Sequence, residues 1–333
     1  MPMPGPHMTG PMWMPAQPMT LARLLAWHPQ PVPVLPVLGG ALLVAYLAGV
    51  VALRRRGDRW PIGRVLWWAA GVITIELMTA TGIDGYGMEL FSVHMVQHMV
   101  MGMLTPILLT LGAPMTLLLR VLPATRRSRR SARGIVLAVI HSRAVQAIAN
   151  PVVTVLLFLG SLYGLYFTPV FDWLMGTMWG HNLMLIHFLA IGMLYFWGVL
   201  AVDPSPRRGG GFMGAFARPV IRLSELAATV PFHAFFGVII MMASGLIVGF
   251  YAHPPMGWHI SPLLDQQAAG GIAWGFTELP TLLVLGVLFL QWQRSDARRS
   301  HTADRKATLY GDTALDDYNA RLAALAARDG GGR

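Results

Sequence analysis

Cysteine is absent from the 333 residues, which excludes disulfide frameworks, thiolate zinc sites and thiol-based copper relays. Charge is scarce as well. Asp, Glu, Lys and Arg make up 12% of the chain, against roughly 25% in soluble domains. With 55% of residues hydrophobic, too little polar surface remains to cover the two soluble domains that the length alone would allow. Carboxylates are the scarcer sign, 15 against 25 Lys and Arg, so the formal charge is +10. Such an excess can mark a nucleic-acid binder. Here the basic residues sit in loops between apolar runs, so no nucleic-acid partner is indicated. What the chain holds in quantity is methionine and histidine, 21 and 11 residues, alongside 11 tryptophans.

Seven apolar runs reach the ~20 residues needed to cross a bilayer. They lie at roughly 34–53, 62–81, 91–111, 147–167, 183–202, 230–251 and 268–291. One kind of connection is arginine-rich: Arg54 to Arg64, Arg120 to Arg143, Arg207 to Arg222 and the tail from Arg294. The other kind, at 82–90, 168–182 and 252–267, holds no Lys or Arg. The two alternate strictly. By the positive-inside rule this predicts an all-α integral membrane protein, a seven-transmembrane-helix bundle with its amino terminus outside and its carboxyl terminus cytoplasmic. Of the 25 basic residues only Arg23 falls outside, and the acidic residues split nine inside to six in outer loops or spans. The first apolar run is followed, not preceded, by its arginine cluster, so it does not read as a cleavable signal peptide.

Three regions follow: a Met/Pro-rich extracytoplasmic tail at 1–33, the seven-helix domain at 34–291, and a polar cytoplasmic tail at 292–333. Short interfacial helices are expected at Thr20–His28 and Gly134–Ser142. In the last region Leu315, Tyr318, Leu322 and Leu325 share one helical face. The arginine runs require nothing beyond topology and contact with the lipid bilayer.

Histidine and methionine follow this topology. Eight histidines map to outer loops or the outer halves of spans, leaving His141, His233 and His301 on the inner side. In the third span His94 and His98 lie one helical turn apart, with Met101 within about 60° of both. The fifth span opens on His181, Met184 and His187, of which Met184 and His187 are helical neighbours. Imidazole with thioether is a soft donor set that favours Cu(I) over zinc or magnesium. Methionine alone is more often apolar filler; ionisable residues inside a span are rarely so.

Two carboxylates, Glu76 and Glu278, fall in spans at a depth similar to these histidines, where they can orient imidazoles or simply pack helices. At the outer opening, Asp265 and Gln266 begin the last span, with Asp265 suited to capping it, while Gly270 and Gly271 allow close helix approach. His253 and His259, either side of Met256, are placed to line the mouth. In the amino tail, Met3, His7, Met8, Met12 and Met14 form a spaced thioether set. It is either a transient Cu(I) capture strand or a low-complexity linker.

The segment HMVQHMVMGMLTPILLTLGAPMTLLLR, from His94 to Arg120, resembles the third-span signature of the CtaG-like integral membrane cytochrome c oxidase assembly family. The Asn150–Pro151 entry to the fourth span, GHNLMLIHFLAIGMLYFW, DPSPR and DQQAAGGIAW are similar too. The likeness extends over roughly residues 35–295. It implies a bacterial plasma-membrane protein with seven spans, needed for maturation of haem-copper oxidases by handling copper. It also implies functional roles for His94, His98 and His187, with Asp265 and Gln266 near the outer opening. A single-span assembly factor of the same name uses a cysteine pair, and this chain cannot be of that kind.

Four functions compete. The leading one is a non-enzymatic assembly factor that takes Cu(I) from an extracytoplasmic donor and passes it to cytochrome c oxidase subunits. An acidic outer surface of Asp84, Glu89, Asp172 and Asp265 would attract the cation. A copper transporter would need further ligands inward, with Met193, Met241, Met242 and His233 as candidates. A haem-binding electron carrier would need His98 and His187 to face one another, and haem is disfavoured because it would need a large cavity and partners that the sequence does not identify. In a structural scaffold the histidines would only pack.

Overall fold

In the computed structural model of the chain, residues 9–123, 131–204, 206, 211–310 and 313–330 are described. Met3, His7 and Met8 of the expected capture tail lie outside them. Two compact units are present, Met1–Val284 and Leu285–Arg333.

In chain order the helices are α1 (Leu21–Leu25), α2 (Val34–Arg55), α3 (Ile62–Thr79), α4 (Gly82–Glu89) and α5 (Phe91–Met99). A π-helical turn, Val100–Leu104, joins α5 to α6 (Thr105–Leu111), followed by α7 (Pro114–Val121), α8 (Ala132–Ile140) and α9 (Arg143–Ile148). Then come α10 (Pro151–Tyr166), α11 (Val170–Met175), α12 (Met178–Leu200), α13 (Gly211–Met242) and α14 (Pro262–Phe276). The last two are α15 (Glu278–Tyr310) and α16 (Thr313–Gly330). Among the described residues there is no strand, only isolated bridges between Thr9 and Thr177 and between Trp27 and Thr81.

Six segments are long and apolar enough to cross a membrane: Val34–Arg55, Ile62–Thr79, Phe91–Val121, Met178–Leu200, Ile221–Met242 and Pro262–Arg294. Pro151–Tyr166, at the expected fourth span, is a shorter apolar helix of 16 residues. Its start is written in the sequence. Asn150 accepts the amide of Val152, and Pro151 occupies the first turn, where no amide is needed. Phe91–Val121 is the central element, with 72% of its apolar window buried against 22% for Val34–Arg55.

The sixth span departs from the expected 230–251 and runs Ile221–Met242 instead. The helix stops at Met242 because side chains elsewhere take the next backbone groups. Gln266 accepts the amide of Ile247 and donates to the carbonyl of Gly245, while Asp172 accepts the amides of Gly249 and Phe250. His233 therefore lies within the span rather than near its inner end. The connection 82–90, expected on the outer side, also folds, as the buried helix α4. The two segments expected to be short interfacial helices are helical, as α1 and α8.

Lipid tails are as apolar as leucine, so helix association in a bilayer depends on close packing and polar contacts. A Cβ at Gly192 of α12 would lie 2.3 Å from the carbonyl oxygen of Gly102 and 2.6 Å from Cγ of Pro106. Gly237 of α13 and Gly270 of α14 meet equally closely, whereas Gly271 has only the sulfur of Met241, at 3.9 Å. Aspartates supply the polar contacts. Asp203 accepts the amides of Met115 and Thr116 at 3.0 and 2.8 Å, at the start of α7. Asp265 accepts those of Phe91 and Ser92 at 2.6 and 3.3 Å, at the start of α5. Its own helix is capped by Ser261. Asp265 thus caps the histidine-bearing helix and not, as its position suggests, the one on which it sits.

The amino-terminal segment, from Thr9 onward, is held by contacts within the first unit. Trp13 stacks on His28 with centroids 3.7 Å apart, and Gln30 binds both backbone groups of Trp13. Tyr86 donates to the carbonyl of Gln17. In the second unit α16 presents Tyr318, Leu322 and Leu325, all exposed.

Candidate metal centre

Helix α5 places His94 and His98 in the core, both buried, because its third- and fourth-neighbour positions face the bundle interior. A single hydroxyl links them. Tyr166, at the end of α10, is 3.0 Å from Nε2 of His94 and 2.8 Å from Nδ1 of His98. The His98 ring is also clamped, stacked at 3.8 Å on Phe188 of α12.

Three more histidines adjoin this pair. His181, at the start of α12, is buried with its ring centroid 6.1 Å from that of His94. His233 of α13 is buried with Nε2 3.3 Å from the sulfur of Met99. His187 is half-buried and bonds the hydroxyl of Ser161. A cavity of about 20 Å³ lies between His98, Ser161, Phe188 and His233, with Gly102 and Met103 among the residues of its wall. Met95, Met99, Met101 and Met184 are buried. Three ring nitrogens in this layer have no hydrogen-bond partner: Nδ1 of His94, Nε2 of His181 and Nδ1 of His233.

Not every expected residue joins them. Glu76 is half-buried, its Oε1 close against Gly39 of α2. The side chain of Glu278 lies outside the described residues. His253, Met256 and His259 stand exposed on their loop, His259 in a left-handed conformation with φ 53°. Met12 is half-buried and Met14 exposed. Asp265 and Gln266 are engaged with backbone and hold α5 and the 243–250 turn in place. Among the described residues no group of three or more His, Asp or Glu is placed to hold a metal ion.

His181, Tyr166 and His233 are the participants that spacing within a single run does not single out. The buried face of α12 runs Gly180, His181, Met184, Leu185, Phe188, Gly192, Tyr195, Phe196 and Val199, a 3–4 repeat. His181 lies on that stripe and His187 falls off it. That periodicity was the available signal.

Of the acidic residues expected at an outer face, Asp84 and Asp265 are buried, so the set forms no free surface. Asp84 of α4 is buried, accepting from Gln97 at 2.7 Å. Burial pushes its carboxyl up to about 7, against the opposing pull of hydrogen bonds from Gln97 and Gln30. Burial also raises Glu89. Tyr251 is held well above the usual phenol range by burial first, then by Tyr166, Asp265, Glu89 and Asp172 around it.

The profile of the cytochrome c oxidase caa3 assembly factor family matches residues 44–295. The chain belongs to that family, and its apolar helices make it a multi-pass protein of a bacterial plasma membrane. It is similar to a protein of Mycobacterium bovis named only as uncharacterized, 41% identical over 313 residues, which is 93% of this chain and 46% of the relative. A Mycobacterium tuberculosis protein, also named as uncharacterized, gives the same figures. One from Mycobacterium leprae is 40% identical over 285 residues, 85% of this chain and 42% of the relative. The chain thus spans under half the length of these relatives. No solved structure matches it.

Proposed function

We propose that the chain is a non-catalytic assembly factor that binds Cu(I) at the outer side of the membrane and hands it to cytochrome c oxidase subunits. In this reading seven helices span the bilayer, with Pro151–Tyr166 as the fourth, the amino terminus outside and the carboxyl tail cytoplasmic. Residues 1–33 receive the ion from an extracytoplasmic copper donor, 34–291 hold it, and 292–333 form the cytoplasmic tail.

The observation that carries this reading is the layer itself: four buried histidines and a half-buried fifth among buried methionines, with three imidazole nitrogens unpartnered. Unpartnered polar atoms in a core call for an explanation, and a ligand is one. Neutral imidazole and thioether are soft donors that release a monovalent ion by ligand exchange. The cavity of about 20 Å³ beside His98 fits one ion or one water, not a porphyrin. This favours copper over haem. It also favours delivery over transport, since of the inward candidates Met242 stands exposed and His233 belongs to the same layer as His98.

The test is complementation in a bacterium deleted for the gene. His94→Ala and His98→Ala should insert normally yet fail to restore oxidase activity and copper content. Full restoration by both variants overturns the assignment.

A further inference from the structure

His94 and His181 are buried histidines whose rings approach with centroids 6.1 Å apart and planes inclined at 49°. Each keeps one buried nitrogen bare, Nδ1 of His94 and Nε2 of His181. Metal–imidazole bonds are about 2 Å, and a ring nitrogen lies roughly 1.1 Å from its centroid. Two imidazoles on opposite sides of one ion therefore have centroids about 6 Å apart. The observed separation has that value.

The coordination number selects the ion. With no third His, Asp or Glu placed to join among the described residues, zinc lacks its four ligands and hard divalent ions lack oxygens. A filled-shell monovalent ion is satisfied by two neutral nitrogens in line. Phe171 and Tyr251, 5.2 and 6.2 Å from the His94 ring, keep the surroundings apolar, which penalises a divalent charge more than a single one.

Tyr166 sets the ligand nitrogen. Its one hydroxyl lies between Nε2 of His94 and Nδ1 of His98. If His94 donates from Nε2 to the Tyr166 oxygen, and the hydroxyl donates to His98, the lone pair of His94 is left on Nδ1, the bare atom. The amino-terminal segment from Thr9 docks close to His181. Thr9 exchanges backbone hydrogen bonds with Gly176 and Met178 at the start of α12, one turn before His181. The methionine-rich residues precede and follow Thr9 in the sequence.

We propose that Nδ1 of His94 and Nε2 of His181 are the two ligands of a linear Cu(I) site, with Tyr166 as the positioning residue. This rests on the copper reading above and makes His181, not His187, the partner of His94.

The full chain, purified in detergent under reducing conditions, is titrated with Cu(I) against a competing chelator and examined by X-ray absorption. The wild type should show a two-coordinate edge with nitrogen neighbours only. His181→Met should keep one ion and exchange a nitrogen for a sulfur neighbour, a readout that requires a folded protein. His181→Ala should weaken binding at least on the order of 100-fold and Tyr166→Phe about 10-fold. The exposed His141→Ala should bind as wild type, and Ag(I) should compete where Zn(II) does not. A three- or four-coordinate wild-type ion, or no sulfur in His181→Met, overturns this site and leaves the copper reading standing. No Cu(I) uptake by the wild type overturns both.

Discussion

Asp84→Asn isolates one buried carboxyl and gives a pH dependence of definite sign. Asp84 lies in α4 with Oδ1 accepting from Gln97, and an asparagine oxygen can accept the same bond. Its folded pKa of about 7 stands above the ordinary aspartate value of 3.8, so the fold prefers the protonated acid. Below pH 4 both states carry the proton and nothing is lost. Between pH 4 and 7 the unfolded chain releases the proton while the folded one keeps it, so stability falls as pH rises. Above 7 the loss is constant. The difference corresponds to about 4 kcal/mol at pH 8, and about 2 kcal/mol of it is already present at pH 5. The asparagine variant lacks this ionisation. It should exceed wild type in thermal stability by roughly 4 kcal/mol at pH 8, with a margin that shrinks by about half at pH 5. Thermal unfolding in one detergent across pH 5 to 8 measures it. A margin that is flat with pH, or a less stable variant at pH 8, refutes the burial argument.

Two further predictions concern how the histidine layer is held. Asp265→Ala leaves the amides of Phe91 and Ser92 without their acceptor and should lower stability by about 2–4 kcal/mol, with faster hydrogen exchange confined to the start of α5; Asp265→Asn should recover part of it. Equal exchange in wild type and Asp265→Ala would show that α5 is fixed otherwise. Gly192→Ala places a methyl 2.3 Å from the Gly102 carbonyl and should sharply reduce folded yield, whereas Gly160→Ala, with open space around it, should not. Equal yields of the two would mean that α12 and the π-helical turn are not in fixed contact.

Most of the helical plan was legible in the sequence, for physical reasons. Apolar length identified the six segments long enough to span, and the Asn150–Pro151 cap identified the start of the shorter apolar helix between them. The end of the sixth span was not legible. Residues 243–248 are apolar enough to continue a helix, and the groups that stop it, Asp172 and Gln266, are distant in sequence. The role of Asp265 was hidden in the same way, since it binds amides 174 and 173 residues away. Within the site, His94 and His98 were visible because their partner spacing is local. His181 was visible only as part of a buried stripe of α12, and Tyr166 had no local signal at all. Tertiary hydrogen bonds bring it between two histidines of another helix.

Whether the histidine layer carries copper is decided by metal content. The full chain, purified under reducing conditions from cells supplied with copper, should retain close to one Cu(I) per chain and lose it to a strong Cu(I) chelator. A wild-type chain that is folded, free of copper and unable to take it up would contradict the account.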